Sequence, residues 1–117
     1  MSTTRWLPLF VIASCSSPAP PTSTCSTGDA PLTYAGFGDS FMASYCTGCH
    51  SSELVGTARM GAPLGYNFDS YAGVRGFTNQ IQLATVTNRR MPPAGHPAPS
   101  DDERALLGEW IACGLPE

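Results

Sequence analysis

The chain has 117 residues, with six Arg, no Lys and nine acidic residues, for a formal charge of −3. A length of this order holds one small domain, and twelve Gly and eleven Pro leave little room for a large apolar core. Such domains usually gain stability from a cross-link, a metal or a cofactor. The acidic balance excludes a protein built to bind nucleic-acid backbones, and the chain offers no basic patch for electrostatic steering.

Residues 1–14 have the pattern of a secretory signal. Arg5 is the only early charge, and the apolar run from Trp6 to Ala13 that follows it is too short to span a bilayer. The run ends in Ile12-Ala13-Ser14-Cys15, which resembles the bacterial lipobox. That resemblance implies cleavage before Cys15, acylation of its thiol and attachment to a membrane on the periplasmic side. Ser16 stands where inner-membrane lipoproteins often carry Asp, which by the same analogy points to the outer membrane. The alternative is cleavage nearby and release of a free protein. Residues 15–31 are rich in Ser, Thr and Pro and too poor in large apolar residues to fold; they are expected to form a semi-stiff tether. Residues 32–117 are the expected folded domain.

Helical spacing begins after Thr33, a suitable N-cap. Tyr34, Phe37, Phe41 and Tyr45 fall three and four residues apart, forming one stripe of a helix. Gly36 and Gly38 weaken that helix but allow close packing against another. It runs into Cys46-Thr47-Gly48-Cys49-His50, the C-x-x-C-H pattern of c-type haem attachment. Two thiols at this spacing can each add across one vinyl group, and the imidazole that follows can ligate the iron. The same residues could also serve a zinc site or a redox dithiol. With Cys15 assigned to lipid and Cys46 and Cys49 to haem, Cys25 and Cys113 remain. An even remainder in an oxidising compartment suggests a disulfide; the alternative is two unpaired thiols, with Cys113 packing as a small apolar residue.

Residues 51–68 lack a sustained period and are expected to form a loop around one side of the cofactor, with the carbonyls near Ala62 and Pro63 as acceptors for the His50 ring N–H. Asp69 or Ser70 could cap the next helical stretch. There Tyr71, Val74, Phe77, Ile81 and Ala84 recur at helical spacing, and Gly73 and Gly76 divide it into two short helices ending near Asn88. Met91-Pro92-Pro93 then stops any helix and presents Met91 on a stiff loop, pre-positioned as a sixth iron ligand. His96 is the rival ligand, an open site a further alternative, and Met42 and Met60 are placed unfavourably in sequence. Arg75, Arg89 and Arg90 could pair with haem propionates or lie in solvent. Ser100-x-x-Glu103 is a capping box. Leu106, Leu107, Trp110 and Ile111 follow as one apolar face, with Cys113 beside it and Gly114 and Pro116 as the stop.

Taken together, Phe41-x-x-x-Tyr45-Cys46-Thr47-Gly48-Cys49-His50, Met91-Pro92-Pro93 and Ser100-x-x-Glu103 leading to Leu107-x-x-Trp110-Ile111 resemble the class I cytochrome c family over about residues 34–117. The likeness is greatest to small tethered cytochrome domains of bacterial envelope proteins. It implies an all-α, cytochrome c-like fold of three to four short helices around one covalently attached haem c, with Phe41 and Tyr45 meeting Leu107 and Trp110 where the first and last helices cross. It implies iron held by His50 and Met91, and one-electron transfer to a redox protein by a monomeric carrier rather than an enzyme. The chain departs from mitochondrial-type members in lacking their ring of docking lysines. A labile sixth ligand would instead make it a haem peroxidase or gas sensor. A haem-free zinc or dithiol module is a third possibility, from a different class.

Overall fold

Thr33 opens the first helix, its hydroxyl accepting the Gly36 N–H at 3.0 Å. The first turn is wide: in the π-helical segment Tyr34–Gly38, the Gly38 and Asp39 N–H groups reach back five residues to the Thr33 and Tyr34 carbonyls. The chain then tightens into α1 (Asp39–Tyr45), which ends at Cys46. These elements belong to a computed structural model that describes residues 23–26 and 31–117. The expected signal peptide, Cys15 and the rest of the tether lie outside the described residues.

The fold is all-α, with four α-helices and no strand among the described residues. The segment after His50 is mostly irregular but contains one 3₁₀ turn, Gly56–Arg59, which its sequence does not announce. Ser70, not Asp69, caps α2 (Tyr71–Gly76), accepting from Gly73 N–H. Asp69 instead accepts from the Ser51 and Ser52 hydroxyls and the Ser52 N–H, tying the loop back on itself. The break expected near Gly76 falls at Phe77, and α3 (Thr78–Ile81) widens into a second π-helical segment, Gln82–Thr87.

The helix with the strongest local signals is α4 (Asp101–Ala112). Its capping box is complete: Ser100 Oγ accepts from Glu103 N–H, and the Glu103 carboxylate accepts from Ser100 N–H. Its buried stripe differs from the expected one. Arg104, Leu107, Gly108 and Trp110 are buried, whereas Leu106 is 39% exposed. Leu106 lies about 100° around the helix from Leu107, so the inner face has no room for it. Ser23 and Val86 approach Gly108 so closely that a Cβ there would overlap Ser23 Oγ.

The first helix meets α4 at both ends rather than through one central cluster. Phe41, Leu107 and Trp110 share the buried core. The rings set against Trp110, however, are Tyr34 at 6.2 Å and Phe37 at 6.1 Å, and Tyr45 reaches Glu103. The chain end completes the joint, as Pro116 O accepts both the Tyr34 N–H and the Trp110 indole N–H. That satisfies one of the donors a helix start leaves unpaired.

Gly38 is what allows this approach. A Cβ there would stand 2.6 Å from Trp110 Cη2 and 2.8 Å from Cζ2, and the fully buried indole has no free volume into which to move. Overpacking of this kind costs about 1–3 kcal/mol, against about 1 kcal/mol gained from alanine's helix propensity. Gly38→Ala is therefore expected to destabilise the domain by up to about 2 kcal/mol, read as a lower urea midpoint with an unchanged slope.

Candidate functional site

The last turn of α1 carries the chain into the C-x-x-C-H segment. The Cys46 and Thr47 N–H groups both return to Met42 O, while the Cys49 and His50 N–H groups both return to Cys46 O. The result is a tight backbone turn through Cys46, Cys49 and His50, all half-buried, with neither thiol bridged. Burial pushes the Cys46 thiol up to about 12, so it is held as the protonated thiol at neutral pH.

His50 is oriented from two sides. Its ring stacks on Phe68 at 4.7 Å, and Phe68 N–H donates to His50 O. Its Nδ1 lies 2.9 Å from Tyr66 O. A carbonyl can only accept, so Nδ1 carries a proton, and in the neutral imidazole Nε2 is the nitrogen that holds the lone pair. The acceptor is thus Tyr66 rather than the Ala62–Pro63 pair, whose carbonyls accept from Arg59 but not from His50.

Met91 follows the second π-helical segment and is half-buried. Its backbone is fixed on both sides. Its N–H donates to Ala84 O at 3.0 Å, and its carbonyl accepts from the Arg104 guanidinium at 2.9 Å. Arg104 is 7% exposed and also donates to Thr85 O at 2.5 Å, so α4 clamps both the end of the α3 helix and the Met91 loop. His96, the rival ligand, is half-buried on the same loop. Of the other methionines, Met42 is buried in the core and Met60 is 64% exposed.

Aromatic contacts join the two halves of this region. Phe77, between α2 and α3, stands 4.3 Å from the Tyr66 ring and 6.0 Å from Phe68, so the wall behind His50 is continuous with the helix leading to Met91. Among the described residues no hydrogen bond links His50 directly to Met91 or His96.

The three arginines expected near propionates are all exposed. Arg75 lies over the Tyr71 ring, and Arg89 pairs with Asp101 at 2.6 Å. The buried arginines are Arg59 and Arg104. Arg104 was detectable in principle, since it stands three residues before Leu107 on the buried stripe.

Tyr45 OH donates to both Glu103 oxygens, at 2.9 and 3.0 Å. The Ser100 N–H, then the Tyr45 hydroxyl, hold the Glu103 carboxyl below its ordinary range, and the same bond to Glu103 holds the Tyr45 phenol above its own. A carboxylate with a depressed pKa stabilises the fold at neutral pH and loses that contribution as pH falls through its folded value. Glu103→Gln is expected to flatten the acid limb of a stability–pH curve, measured by urea unfolding between neutral pH and the carboxylate range.

Among the described residues no three His, Cys, Asp or Glu side chains converge as a metal site, so a tetrahedral zinc site from Cys46, Cys49, His50 and His96 is not assembled. The described helices also include none long and apolar enough to cross a membrane. Cys25 and Cys113 are bridged, fastening the segment before the domain to the end of α4. Compared with family models, curated proteins and solved structures, the chain finds no match.

Proposed function

We propose that the chain is a monohaem c-type cytochrome of cytochrome c-like fold, an electron carrier rather than an enzyme, held at the periplasmic side of the outer membrane through a lipidated Cys15. The observation that carries this is the His50 hydrogen bond: Nδ1–H is committed to Tyr66 O, which leaves Nε2 as a metal donor directly after two unbridged thiols. Cys46 and Cys49 would hold the group by adding their S–H across its vinyl groups, an addition that needs no oxidant. The residues present fit haem in donor type: imidazole from His50, thioether from Met91 and two thiols for anchorage.

Bound haem supplies an iron that takes up and returns one electron. The chain's own part is to hold its ligands still. Tyr66 O and Phe68 orient the imidazole, while Ala84 O and Arg104 fix the backbone of Met91. A redox partner would dock without the help of lysines, since the chain has none.

The test is the chain produced with the c-type maturation machinery. One haem resisting acid–organic extraction, with a reduced-minus-oxidised spectrum of the c type, is expected. Protein that matures with intact thiols and no bound haem would rule the proposal out.

A further inference from the structure

Arg59 is 3% exposed and has no carboxylate partner among the described residues. A buried cation is costly unless its donors are satisfied, and here backbone carbonyls alone satisfy them. Nε donates to Ala62 O at 3.1 Å. One terminal nitrogen donates to Ser51 O at 2.6 Å and Leu54 O at 3.4 Å. The other donates to Pro63 O at 2.8 Å and Tyr66 O at 3.2 Å. The planar five-donor fork matches this ring of acceptors, and the three donors of a lysine cannot. The loop after His50 is therefore folded around a guanidinium in place of an apolar core.

The last of these bonds matters for the site, because Tyr66 O is also the acceptor of the His50 Nδ1–H. A carbonyl has two lone pairs and can serve both donors. We infer that Arg59 is a positioning and tuning residue for His50: by sharing the Tyr66 carbonyl it limits the electron density the imidazole can offer to a metal, and so raises the reduction potential of the bound haem. This rests on the haem function proposed above.

Two effects act in the same direction. A strong acceptor at Nδ1–H makes an imidazole a more basic ligand, and a guanidinium on the same oxygen weakens that acceptor. A fixed positive charge beside the site also favours the less positive, reduced iron. Loss of Arg59 removes both, so the oxidised form gains.

The test uses haem-loaded wild type, Arg59→Gln and Arg59→Lys. At a fixed ambient potential the oxidised-to-reduced ratio should rise about threefold to tenfold in Arg59→Gln, where tenfold is 59 mV for one electron. Arg59→Lys keeps the charge and should shift the ratio less. In both variants the His50 Nδ1–H resonance of the reduced protein should move downfield as Tyr66 O becomes the stronger acceptor. A structural role alone would lower stability and leave that resonance in place.

If neither variant matures, the wild type still decides. Slowly exchanging Arg59 guanidinium protons with a nuclear Overhauser contact to the His50 Nδ1–H are expected, and their absence overturns the inference. A wild type without covalent haem overturns the proposed function and this inference with it. A haem-loaded pair with equal potentials and unmoved resonances overturns the inference alone.

Discussion

Met91→Ala is expected to lower the reduction potential by a sizeable part of the roughly 0.8 V range over which axial ligands set haem potentials, and to let the reduced protein bind carbon monoxide. The structure makes this substitution informative because it separates ligation from folding. The backbone on either side is held by groups the change leaves alone, Ala84 O on the N–H and Arg104 on the carbonyl. The side chain is only half-buried, so the packing loss should be smaller than the 2–5 kcal/mol typical of a fully buried methionine. A fall in potential with a nearly unchanged urea midpoint then reports a lost ligand. An unchanged spectrum and potential would remove Met91 from the iron; His96, on the same loop, would next be replaced by alanine and put through the same measurements.

What could be read from the sequence were features set by local rules. Thr33, Ser70 and the Ser100–Glu103 box are caps whose chemistry acts within one turn, and each occupies its cap in the fold. Cys46, Cys49 and His50 stood out as a candidate site because two thiols and an imidazole at that spacing have few uses. Leu106 shows the limit of such rules. It continues the apolar run before Leu107, but the inner face of α4 is narrow and is claimed instead by Arg104 and by Gly108, on which Ser23 and Val86 close in.

What stayed hidden depends on the path of the backbone. The acceptor for His50 is Tyr66 O, three residues beyond the Ala62–Pro63 pair, and Pro63 O is filled by the Tyr66 N–H and Arg59. No periodicity reports where a carbonyl points. The burial of arginines depends on the same path. An arginine beside prolines or in a polar stretch has the pattern of a solvated residue, and Arg75, Arg89 and Arg90 are exposed. Arg59 and Arg104 are buried because irregular segments and helix ends leave carbonyls without partners, and a long guanidinium collects several at once. Two arginines without an ion pair among the described residues thus brace the chain, Arg59 at Tyr66 O beside His50 and Arg104 at Met91 O.

Removing the Cys25–Cys113 bridge is expected to be the most damaging change to stability. The two cysteines are 88 residues apart, and cross-linking a loop of that length restricts the unfolded chain by about 4–5 kcal/mol. A small domain has only about 5–15 kcal/mol of stability in total. The folded-side losses add to this. Ser26 donates to Glu109, and Ser23 packs against Gly108; both contacts depend on the segment being held beside α4. The double variant Cys25→Ser, Cys113→Ser is therefore expected to lose about 3–5 kcal/mol, seen in urea as a midpoint lower by about 2 M or more. Gly38→Ala serves as the internal comparison, since it strains the folded state and should shift the midpoint far less. If the double variant unfolds within about 1 kcal/mol of wild type, less than any loop of this length predicts, the bridge does not constrain the chain. The joint around Trp110 and Pro116 would then have to hold the end of α4 alone.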